Sequence, residues 1–483
     1  MLPYGQSLTL LTDLYQLTMA SAAWKSGADK REGMFHLIFR SAPFHGGFTV
    51  AAGLATALDY LRGWRFIEDD LAYLASVRTA AGEPMFEQSF IDYLRALEPR
   101  LDIDAVPEGT VVFPQEPLLR LSGPIVPCML LETPLLTLIN FQTLIATKAA
   151  RVCIAARGDP VLEFGLRRAQ GVDGALAASR AAYLGGCAAT SNVLAGKLLG
   201  IPVRGTHAHS WVMLFDGERE AFDAYARAMP HNVVLLVDTY DTLQGVRNAI
   251  EVGRMLRAQG RELSGIRLDS GDLAWLSIEA RKMLDAAGFE KTSILASNEL
   301  DEHLIESLKQ QGALINVWGV GTRLVTGGEE PALTGVYKLS AVRDPGGPWK
   351  RRIKLSEQST KISVPGILQV RRFIEGARMA GDLIYDIEDG VSSQTLIDPL
   401  DVTRRKVIPP GTAFEDLLVP AWRDGKQVYS PPPLSELRAR TQAQLALLHP
   451  GLKRFVNPHT YPVGLDPLLH ERRVRMILQA RAA

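Results

Sequence analysis

Two histidines in one short segment are the first residues whose types and spacing could do chemistry. His207 and His209 lie in residues 205–210 (GTHAHS), which we expect to follow a strand directly. An imidazole titrates near neutral pH and can act as a base, a nucleophile or a metal ligand. The pattern leaves open two ordinary barrel histidines or the metal pair of a barrel hydrolase. Such a pair needs further ligands on later strands, whose ends offer Asp238 and Asp269 but no histidine.

Two aspartates follow the clearest apolar run of the chain. Residues 233–237 (VVLLV) are β-branched or leucine, which indicates a strand buried on both faces. Asp238 and Asp241 come directly after this run. The two carboxylates could hold Mg²⁺ or sugar hydroxyls, or they could cap the next helix, and the residues alone do not decide.

A denser group of polar residues follows the next apolar run. Residues 267–272 (RLDSGD) place Arg267, Asp269 and Asp272 beside a serine and a flexible glycine. Arginine and Mg²⁺-bridging aspartate are what a polyphosphorylated sugar requires. Helix capping explains Asp272 but leaves Arg267 unexplained, so this segment favours a phosphate site.

Hydroxyl and glycine residues follow the last two apolar runs. They are residues 297–299 (SNE) and 319–322 (GVGT). Backbone N–H groups of glycines ahead of a helix suit a monophosphate. Neither the P-loop nor the dinucleotide-binding glycine motif occurs, so any use of ATP must go through a different device.

Repeated strand–helix units must position these residues. The apolar runs end roughly 25 to 35 positions apart, about one βα unit each, and they are residues 160–165, 201–206, 233–238, 266–269, 294–297 and 315–319. Such units predict a parallel sheet, closed as a barrel or open, whose ligands bind at the carboxyl ends of the strands. The polar groups fall at those ends.

The chain of 483 residues is too long for one typical core and predicts two domains. We expect an N-terminal α/β domain at 1–125, completed by about 345–430, a β/α barrel at 126–345 and a C-terminal helical tail at 431–483. Alternation predicts a strand at 34–39, and the pattern of 434–448 indicates an amphipathic helix.

Composition excludes several classes of protein. Lys+Arg and Asp+Glu are both 53, which weighs against bulk binding to nucleic acid or an anionic membrane. Three cysteines are too few for a disulfide framework and are expected to be buried thiols. Polar residues interrupt the apolar stretch 125–150, so we expect a buried helix there, not a membrane span. No signal peptide is visible at the N-terminus, which predicts a cytoplasmic protein.

Together, these segments resemble the nicotinate phosphoribosyltransferase family over nearly the whole chain. Their order and spacing are jointly specific, although each segment alone is modest. The matching segments are 11–19 (LTDLYQLTM), 39–40 with 43–44 and 46–47, 163–171 (EFGLRRAQG), 205–210, 238–241 (DTYD), 267–272, 297–301 (SNELD), 319–322, and 354–356 with 361 and 365–366.

The resemblance implies an irregular α/β barrel with an N-terminal α/β domain completed by later chain, working as a homodimer. It implies that nicotinate attacks C1 of phosphoribosyl pyrophosphate with Mg²⁺, giving nicotinate mononucleotide and pyrophosphate on the route to NAD. ATP hydrolysis is coupled through a phosphohistidine, which places the reaction in the ligase class. The phosphorylated residue maps to His209, whereas His207 departs from a usually apolar position.

The resemblance also implies roles for single residues. Asp238 and Asp269 are the catalytic carboxylates, and either could bind Mg²⁺. Tyr15 and Phe164 resemble the residues that sandwich the pyridine ring. The other expected substrate-binding residues are Arg167, Ser191, Asn192, Thr206, Ser210, Arg267, Ser297, Asn298, Gly321 and Thr322.

The nicotinamide-using relative is the nearest alternative. It has an aspartate at the position of Asn192, and this aspartate would repel a carboxylate. Ser191 and Asn192 can instead donate hydrogen bonds to one, which favours nicotinate. Quinolinate phosphoribosyltransferase is a weaker match, because that enzyme is much shorter. A metal-dependent barrel hydrolase and a non-catalytic metabolite-binding protein remain as alternatives of another class.

Overall fold

The computed structural model describes residues 7–482 and consists of two compact units. The first contains the described residues up to Leu144 and those from Ala332 onward, and the second is Ile145–Pro331. The domain limits predicted from the sequence stay predictions, and residues 431–482 belong to the first unit.

Helices and strands alternate through most of the chain. The α-helices are α1 Leu14–Lys25, α2 Leu54–Gly63, α3 Glu68–Ser76, α4 Gln88–Arg95, α5 Ile125–Leu130, α6 Glu132–Ala155, α7 Gly171–Gly185, α8 Val193–Leu199, α9 His209–Val212, α10 Glu218–Ala228, α11 Thr242–Ala258, α12 Leu273–Ala286, α13 Glu302–Gln310, α14 Thr322–Val325, α15 Leu434–Ala446 and α16 Pro467–Ala482. The strands are β1 Glu32–Phe39, β2 Thr49–Val50, β3 Asp102–Ala105, β4 Val111–Val112, β5 Pro117–Pro124, β6 Val161–Glu163, β7 Ala189–Thr190, β8 Val234–Leu236, β9 Gly265–Leu268, β10 Ser293–Ala296, β11 Val317–Val320, β12 Gly335–Arg343, β13 Lys350–Arg351, β14 Leu368–Glu375, β15 Arg378–Asp386, β16 Thr395–Ile397, β17 Arg405–Val407, β18 Ala413–Asp416, β19 Val419–Arg423, β20 Lys426–Gln427 and β21 Val463–Leu465.

Early and late parts of the chain share the sheets of the first unit. A seven-stranded sheet has the order β13-β12-β1-β5-β3-β19-β20, so strands from both ends of the sequence alternate in it. A six-stranded sheet, β17-β16-β21-β15-β14-β18, is formed entirely by later chain. The predicted strand at 34–39 is part of β1, with Leu37 and Phe39 fully buried. The prediction of an N-terminal α/β domain completed by later chain is therefore confirmed.

The second unit is built on a parallel sheet of six strands in the order β7-β6-β11-β10-β9-β8. Five of the six predicted apolar runs overlap one of these strands. Most of their apolar residues are buried, and Leu235, Ile266 and Leu268 are fully so. The mixed α/β class is confirmed. The backbone pairing does not itself close this sheet, so closure as a barrel stays a prediction.

The prediction of a strand at 201–206 is wrong. The segment forms one isolated bridge, between Thr190 and Val203, and Pro202 has no N–H to offer a ladder. The sheet strand in this part of the chain is instead β7, at Ala189–Thr190. The sequence pattern did not indicate β7, because two residues are too few to show periodicity. The histidine segment therefore follows a bridge and not a strand.

Capping side chains begin four helices of the second unit. In each case a side-chain oxygen accepts the backbone N–H three residues along, which satisfies one of the free donors of the first turn. The caps are Asn192 for α8, Asp241 for α11, Asp272 for α12 and Asp301 for α13. The structure thus assigns Asp241 and Asp272 to capping.

One helical run among the described residues is long and apolar enough to cross a membrane by composition. It is Ile125–Ala155, and 56% of its apolar 18-residue window is buried inside the protein. Lys148 and Arg151 on this run form buried ion pairs with Glu302. These features are those of a core helix, as predicted.

Candidate active site

Arg267, on β9, is the centre of a polar cluster at the carboxyl ends of the parallel strands. Its guanidinium donates to Ser297 Oγ at 2.7 Å, Thr206 Oγ1 at 3.0 Å and Asp269 Oδ1 at 2.9 Å. The Ser297 hydroxyl donates to the same Asp269 oxygen. The structure therefore joins four residues predicted from three separate segments.

The Asp269 carboxylate is kept charged by this cluster. Burial alone would raise its pKa, but the hydrogen bond from Ser297 and the charge of Arg267 outweigh burial and hold the pKa below its ordinary value. About a quarter of the side chain is exposed. A negative charge is therefore available at this strand end at neutral pH.

Asp238 lies beside it, fixed through one oxygen. Its Oδ2 accepts the backbone N–H of Asp269 at 2.7 Å and the hydroxyl of Ser270 at 2.7 Å. Its Oδ1 is buried and has no hydrogen-bond partner among the described residues. A buried acceptor without a partner is costly, so this oxygen is suited to a ligand hydroxyl or a cation.

His209 begins the short helix α9 next to these carboxylates. Its Nδ1 lies 3.1 Å from the Thr239 hydroxyl and its Nε2 lies 3.7 Å from Asp269 Oδ2. Its side chain is 40% exposed, so a co-substrate can reach the ring. Ser210, the next residue, is exposed.

His207 is buried and both its ring nitrogens face backbone groups. Nε2 accepts the N–H of Leu236 at 3.2 Å, and Nδ1 lies 3.3 Å from the carbonyl oxygen of Ala208. Burial lowers the pKa of His207, which keeps the ring neutral. Since neither nitrogen points toward His209, the two histidines do not form a metal-binding pair. This geometry removes the main support for a barrel hydrolase.

A cavity of about 170 Å³ opens beside the cluster. Its lining contains eight of the expected residues together with Arg168, Glu299 and Gly319. The complete set is Phe164, Arg167, Arg168, Arg267, Asp269, Ser297, Asn298, Glu299, Gly319, Gly321 and Thr322. Three arginines and two carboxylates in a small concave space suit a charged ligand. The Thr322 hydroxyl donates to Glu299 at 3.2 Å.

The Phe164 ring packs directly against the backbone of residue 319, which is possible because this residue is glycine. A Cβ atom at Gly319 would lie 2.7 Å from Cδ2 of Phe164, which real structures do not allow. The Phe164 N–H donates to the carbonyl of Val320 at 2.8 Å, and the Arg267 guanidinium carbon lies 5.8 Å from the ring centre. The ring thus offers a flat apolar wall beside a positive charge.

Asn298 has a backbone conformation that is unusual for a side-chain-bearing residue. Its φ is +103°, which costs free energy and is found most often at functional sites. It follows Ser297 and lines the cavity. The surrounding hydrogen bonds of Ser297 and the cap of α13 hold this turn in place.

The expected residues Asn192, Ser191 and Tyr15 are not among those that line the cavity. Asn192 is 2% exposed; its amide donates to Ser179 Oγ at 3.2 Å and its oxygen caps α8 by accepting from Ala195. Ser191, beside it, is half-buried. Tyr15 belongs to α1 of the first unit and is 48% exposed. The roles proposed for these residues from the resemblance stay predictions.

Glu163 is a supporting residue that sequence reasoning missed. It is 1% exposed and its carboxylate accepts from the Gly165 N–H and from the hydroxyls of Ser179 and Thr190, the latter two at 2.8 and 2.5 Å. These bonds fix the turn that carries Phe164. A charged residue at the end of a predicted buried strand was the signal that could have found it.

A parallel α/β unit with arginine, carboxylate and hydroxyl side chains at its strand ends defines a protein that binds a charged, oxygen-rich ligand. The model of the nicotinate phosphoribosyltransferase (NAPRTase) N-terminal domain matches residues 10–140, and that of the C-terminal domain matches residues 369–473. The chain therefore belongs to the nicotinate phosphoribosyltransferase family, as relatives matching it along most of its length also show.

The relatives cover nearly the whole chain. Nicotinate phosphoribosyltransferase of Bacillus subtilis (strain 168) is 42% identical over 475 residues, covering 96% of this chain and 95% of the relative. The Homo sapiens protein of the same name is 37% identical over 527 residues, with 95% of each chain covered. The crystal structure of human nicotinic acid phosphoribosyltransferase matches with a TM-score of 0.83 and 34% identity, covering 96% of this chain and 99% of that one.

Proposed function

We propose that this chain transfers the phosphoribosyl group of phosphoribosyl pyrophosphate to nicotinate, giving nicotinate mononucleotide and pyrophosphate for NAD biosynthesis. The observation that carries the proposal is the hydrogen-bonded cluster of Arg267, Asp269, Ser297 and Thr206 beside the Phe164 cavity. Family membership supports the same reaction, since the relatives bear the name of this enzyme.

The residues match the demands of this chemistry. As pyrophosphate leaves C1 of the ribose, positive charge develops on the sugar, and fixed carboxylates stabilise it without reorganisation. Asp238 and Asp269 supply the negative charge from neighbouring strand ends, and the Asp269 backbone N–H donates to Asp238 Oδ2 at 2.7 Å. The Phe164 ring gives the pyridine ring a surface to stack on, and Arg167 and Arg267 attract the nicotinate carboxylate or the phosphates.

Mg²⁺ fits the carboxylate pair. Asp238 Oδ1 is a buried oxygen without a protein partner, and the described residues contain no cluster of three or more candidate metal ligands. Mg²⁺ is commonly held by one or two carboxylates plus substrate phosphates and waters. Asp238, with or without Asp269, would hold it, and the ion would neutralise the leaving pyrophosphate.

We further propose that ATP hydrolysis is coupled to transfer through His209. A ring nitrogen forms a bond to the γ-phosphorus of ATP, ADP leaves, and water later cleaves the N–P bond to release phosphate. The exposure of His209 and its position between Thr239 and Asp269 support this role. Ligase-class activity, a homodimer and a cytoplasmic location are parts of the same proposal that rest on the resemblance.

Nicotinamide is the second candidate for the ring substrate. The argument against it depends on Ser191 and Asn192 facing a carboxylate, yet the Asn192 side chain is buried among Ser179 and Ala195. The Asn192 side chain thus already makes hydrogen bonds within the protein. This observation keeps nicotinamide as an alternative that an assay must decide.

The test is an incubation of purified protein with Mg²⁺, phosphoribosyl pyrophosphate and ATP, offering nicotinate and nicotinamide separately and following mononucleotide formation. We expect product from nicotinate, with ADP released. Product from nicotinamide alone would shift the ring specificity to the second candidate. No product from either would contradict the proposed transfer reaction.

A further inference from the structure

The parallel sheet of the second unit has two edge segments that no backbone hydrogen bond among the described residues joins to each other. One edge is β8. The other is residues 202–204, which join β7 through the Thr190–Val203 bridge and the Arg204 N–H bond to the Thr190 carbonyl at 3.0 Å. Between these two edges the described residues show no backbone pairing.

The His207 side chain spans this gap. Its Nε2 accepts the Leu236 N–H at 3.2 Å, whereas the Val237 N–H donates to Arg267 on β9 at 3.2 Å. Successive N–H groups of a strand point to opposite sides, so the Leu236 N–H points to the open edge. The imidazole therefore takes the place of the carbonyl that a neighbouring strand would supply.

The surroundings of His207 hold its ring in the form that accepts a hydrogen bond. Its Nδ1 is placed to donate to the Ala208 carbonyl at 3.3 Å, which leaves Nε2 as the acceptor. On α10, Tyr225 contacts the ring edge-on at 4.8 Å between ring centres. The charged or titratable groups that face it are Arg267, His209 and the Tyr225 hydroxyl, and none is a carboxylate that would favour protonation.

We infer that His207 is a positioning residue that closes the sheet edge and sets His209 against Thr239 and Asp269. His209 comes two residues after His207, and Asp238 comes two residues after Leu236. The hydrogen bond between Leu236 and His207 therefore aligns the segment that carries His209 with the segment that carries Asp238. The contact of His209 with Thr239 at 3.1 Å is the next link across the same gap. The inference rests on the proposed function for its kinetic consequence only.

The test compares His207→Gln with His207→Met. The two side chains have nearly the same shape, but only glutamine can accept the Leu236 N–H. Hydrogen exchange of the peptide that contains Leu236, followed by mass spectrometry without substrate, reports the bond directly. We expect native-like protection in the glutamine variant and clearly faster exchange in the methionine variant.

The kinetic arm measures kcat and KM with nicotinate for both variants. We expect the methionine variant to have a kcat about tenfold below that of the glutamine variant, with KM for nicotinate changed less, because positioning affects the transition state more than ring binding. Phe222→Leu is the control for loosened packing, since Phe222 faces the His207 ring at 6.0 Å without bonding Leu236. Its kcat should stay near the native value.

Equal exchange and equal kcat in the glutamine and methionine variants would overturn the inference. If the methionine variant does not fold, the glutamine variant decides by itself: fast exchange at Leu236 in a folded, active protein would overturn the inference, and native protection would support it. Absence of transfer in the native protein would contradict the proposed function instead, while the exchange result would still judge the bond.

Discussion

The Nε2 atom of His209 lies 3.7 Å from Oδ2 of Asp269, while Nδ1 of the same ring lies 3.1 Å from the hydroxyl of Thr239. The same Asp269 carboxylate accepts hydrogen bonds from Arg267 and Ser297 through its other oxygen. A change of charge on His209 therefore acts electrostatically on the Asp269 carboxylate at close range. A phosphoryl group there would add negative charge and new acceptors beside Asp269 and Arg267.

Replacing His209 should separate transfer from ATP coupling. We expect His209→Ala to abolish the stimulation of transfer by ATP and the release of ADP, while slow ATP-independent transfer persists, because the carboxylates and Arg267 are unchanged. The measurement is the rate of mononucleotide formation with and without ATP. A variant whose rate ATP still raises would show that His209 is not the phosphorylated residue.

Neutralising Asp238 should slow transfer strongly while the fold is kept. We expect Asp238→Asn to lower kcat by about 100-fold or more, the size of effect seen when one fixed electrostatic group of a transition state is lost. An asparagine oxygen can still accept the Asp269 N–H, so the melting temperature should change little. Steady-state kinetics and thermal melting give the two quantities.

Asp241→Asn is the matched control for Asp238. Asp241 caps α11 by accepting the Gln244 N–H at 2.7 Å, and asparagine caps a helix equally well. Its kcat should therefore stay close to native. Equal kinetic effects of the two substitutions would contradict the assignment of Asp238 to the site and Asp241 to the helix.

Adding one methyl group behind the Phe164 ring should weaken binding of the ring substrate. In Gly319→Ala the new Cβ would lie 2.7 Å from the ring, so the phenyl group must move. We expect KM for nicotinate to rise about tenfold with a smaller change in KM for phosphoribosyl pyrophosphate. Gly174→Ala is the control, because a Cβ there meets no atom within 4 Å; a similar rise in that variant would contradict this explanation.

Breaking the buried ion pairs of Glu302 should destabilise the second unit. Lys148 and Arg151 lie 2.6 and 2.8 Å from its carboxylate oxygens, and the Glu302 side chain is fully buried. We expect Glu302→Gln to lower the free energy of unfolding by about 3 kcal/mol, since the two cations lose their buried counter-charge. Urea unfolding measures this, with the less buried Glu306→Gln as a control expected to change it by less than about 0.5 kcal/mol.

The same ion pairs of Glu302 predict that the stability of the protein depends on pH. Burial alone would raise the pKa of Glu302, but the charges of Lys148 and Arg151 outweigh burial and lower it. A carboxyl with a lowered pKa in the folded state stabilises fully above its unfolded pKa, and this contribution is lost as pH falls through the folded value. The stability difference between native protein and Glu302→Gln should therefore shrink below about pH 4. A difference that stays constant down to pH 3 would contradict the ion-pair explanation.

The sequence by itself determined five of the six strands of the parallel sheet and the polar residues that follow them. Continuous apolar runs such as 233–237 indicate burial on both faces, and their repetition between helical segments is typical of a covered parallel sheet. Because all carboxyl ends of such a sheet meet at one edge, the grouping of Arg267, Asp269 and Ser297 followed from their places after separate runs.

Only the tertiary structure decided which of these polar residues serve the site. Asp238 and Asp241 are indistinguishable by type and spacing, yet one carries an unpartnered buried oxygen and the other caps a helix. Asn192 was predicted to bind substrate and His207 was an open candidate for a metal pair, yet both side chains make buried hydrogen bonds within the protein. The physical reason is that a side chain's role depends on which donors and acceptors surround it, and those come from distant parts of the chain that no local pattern records.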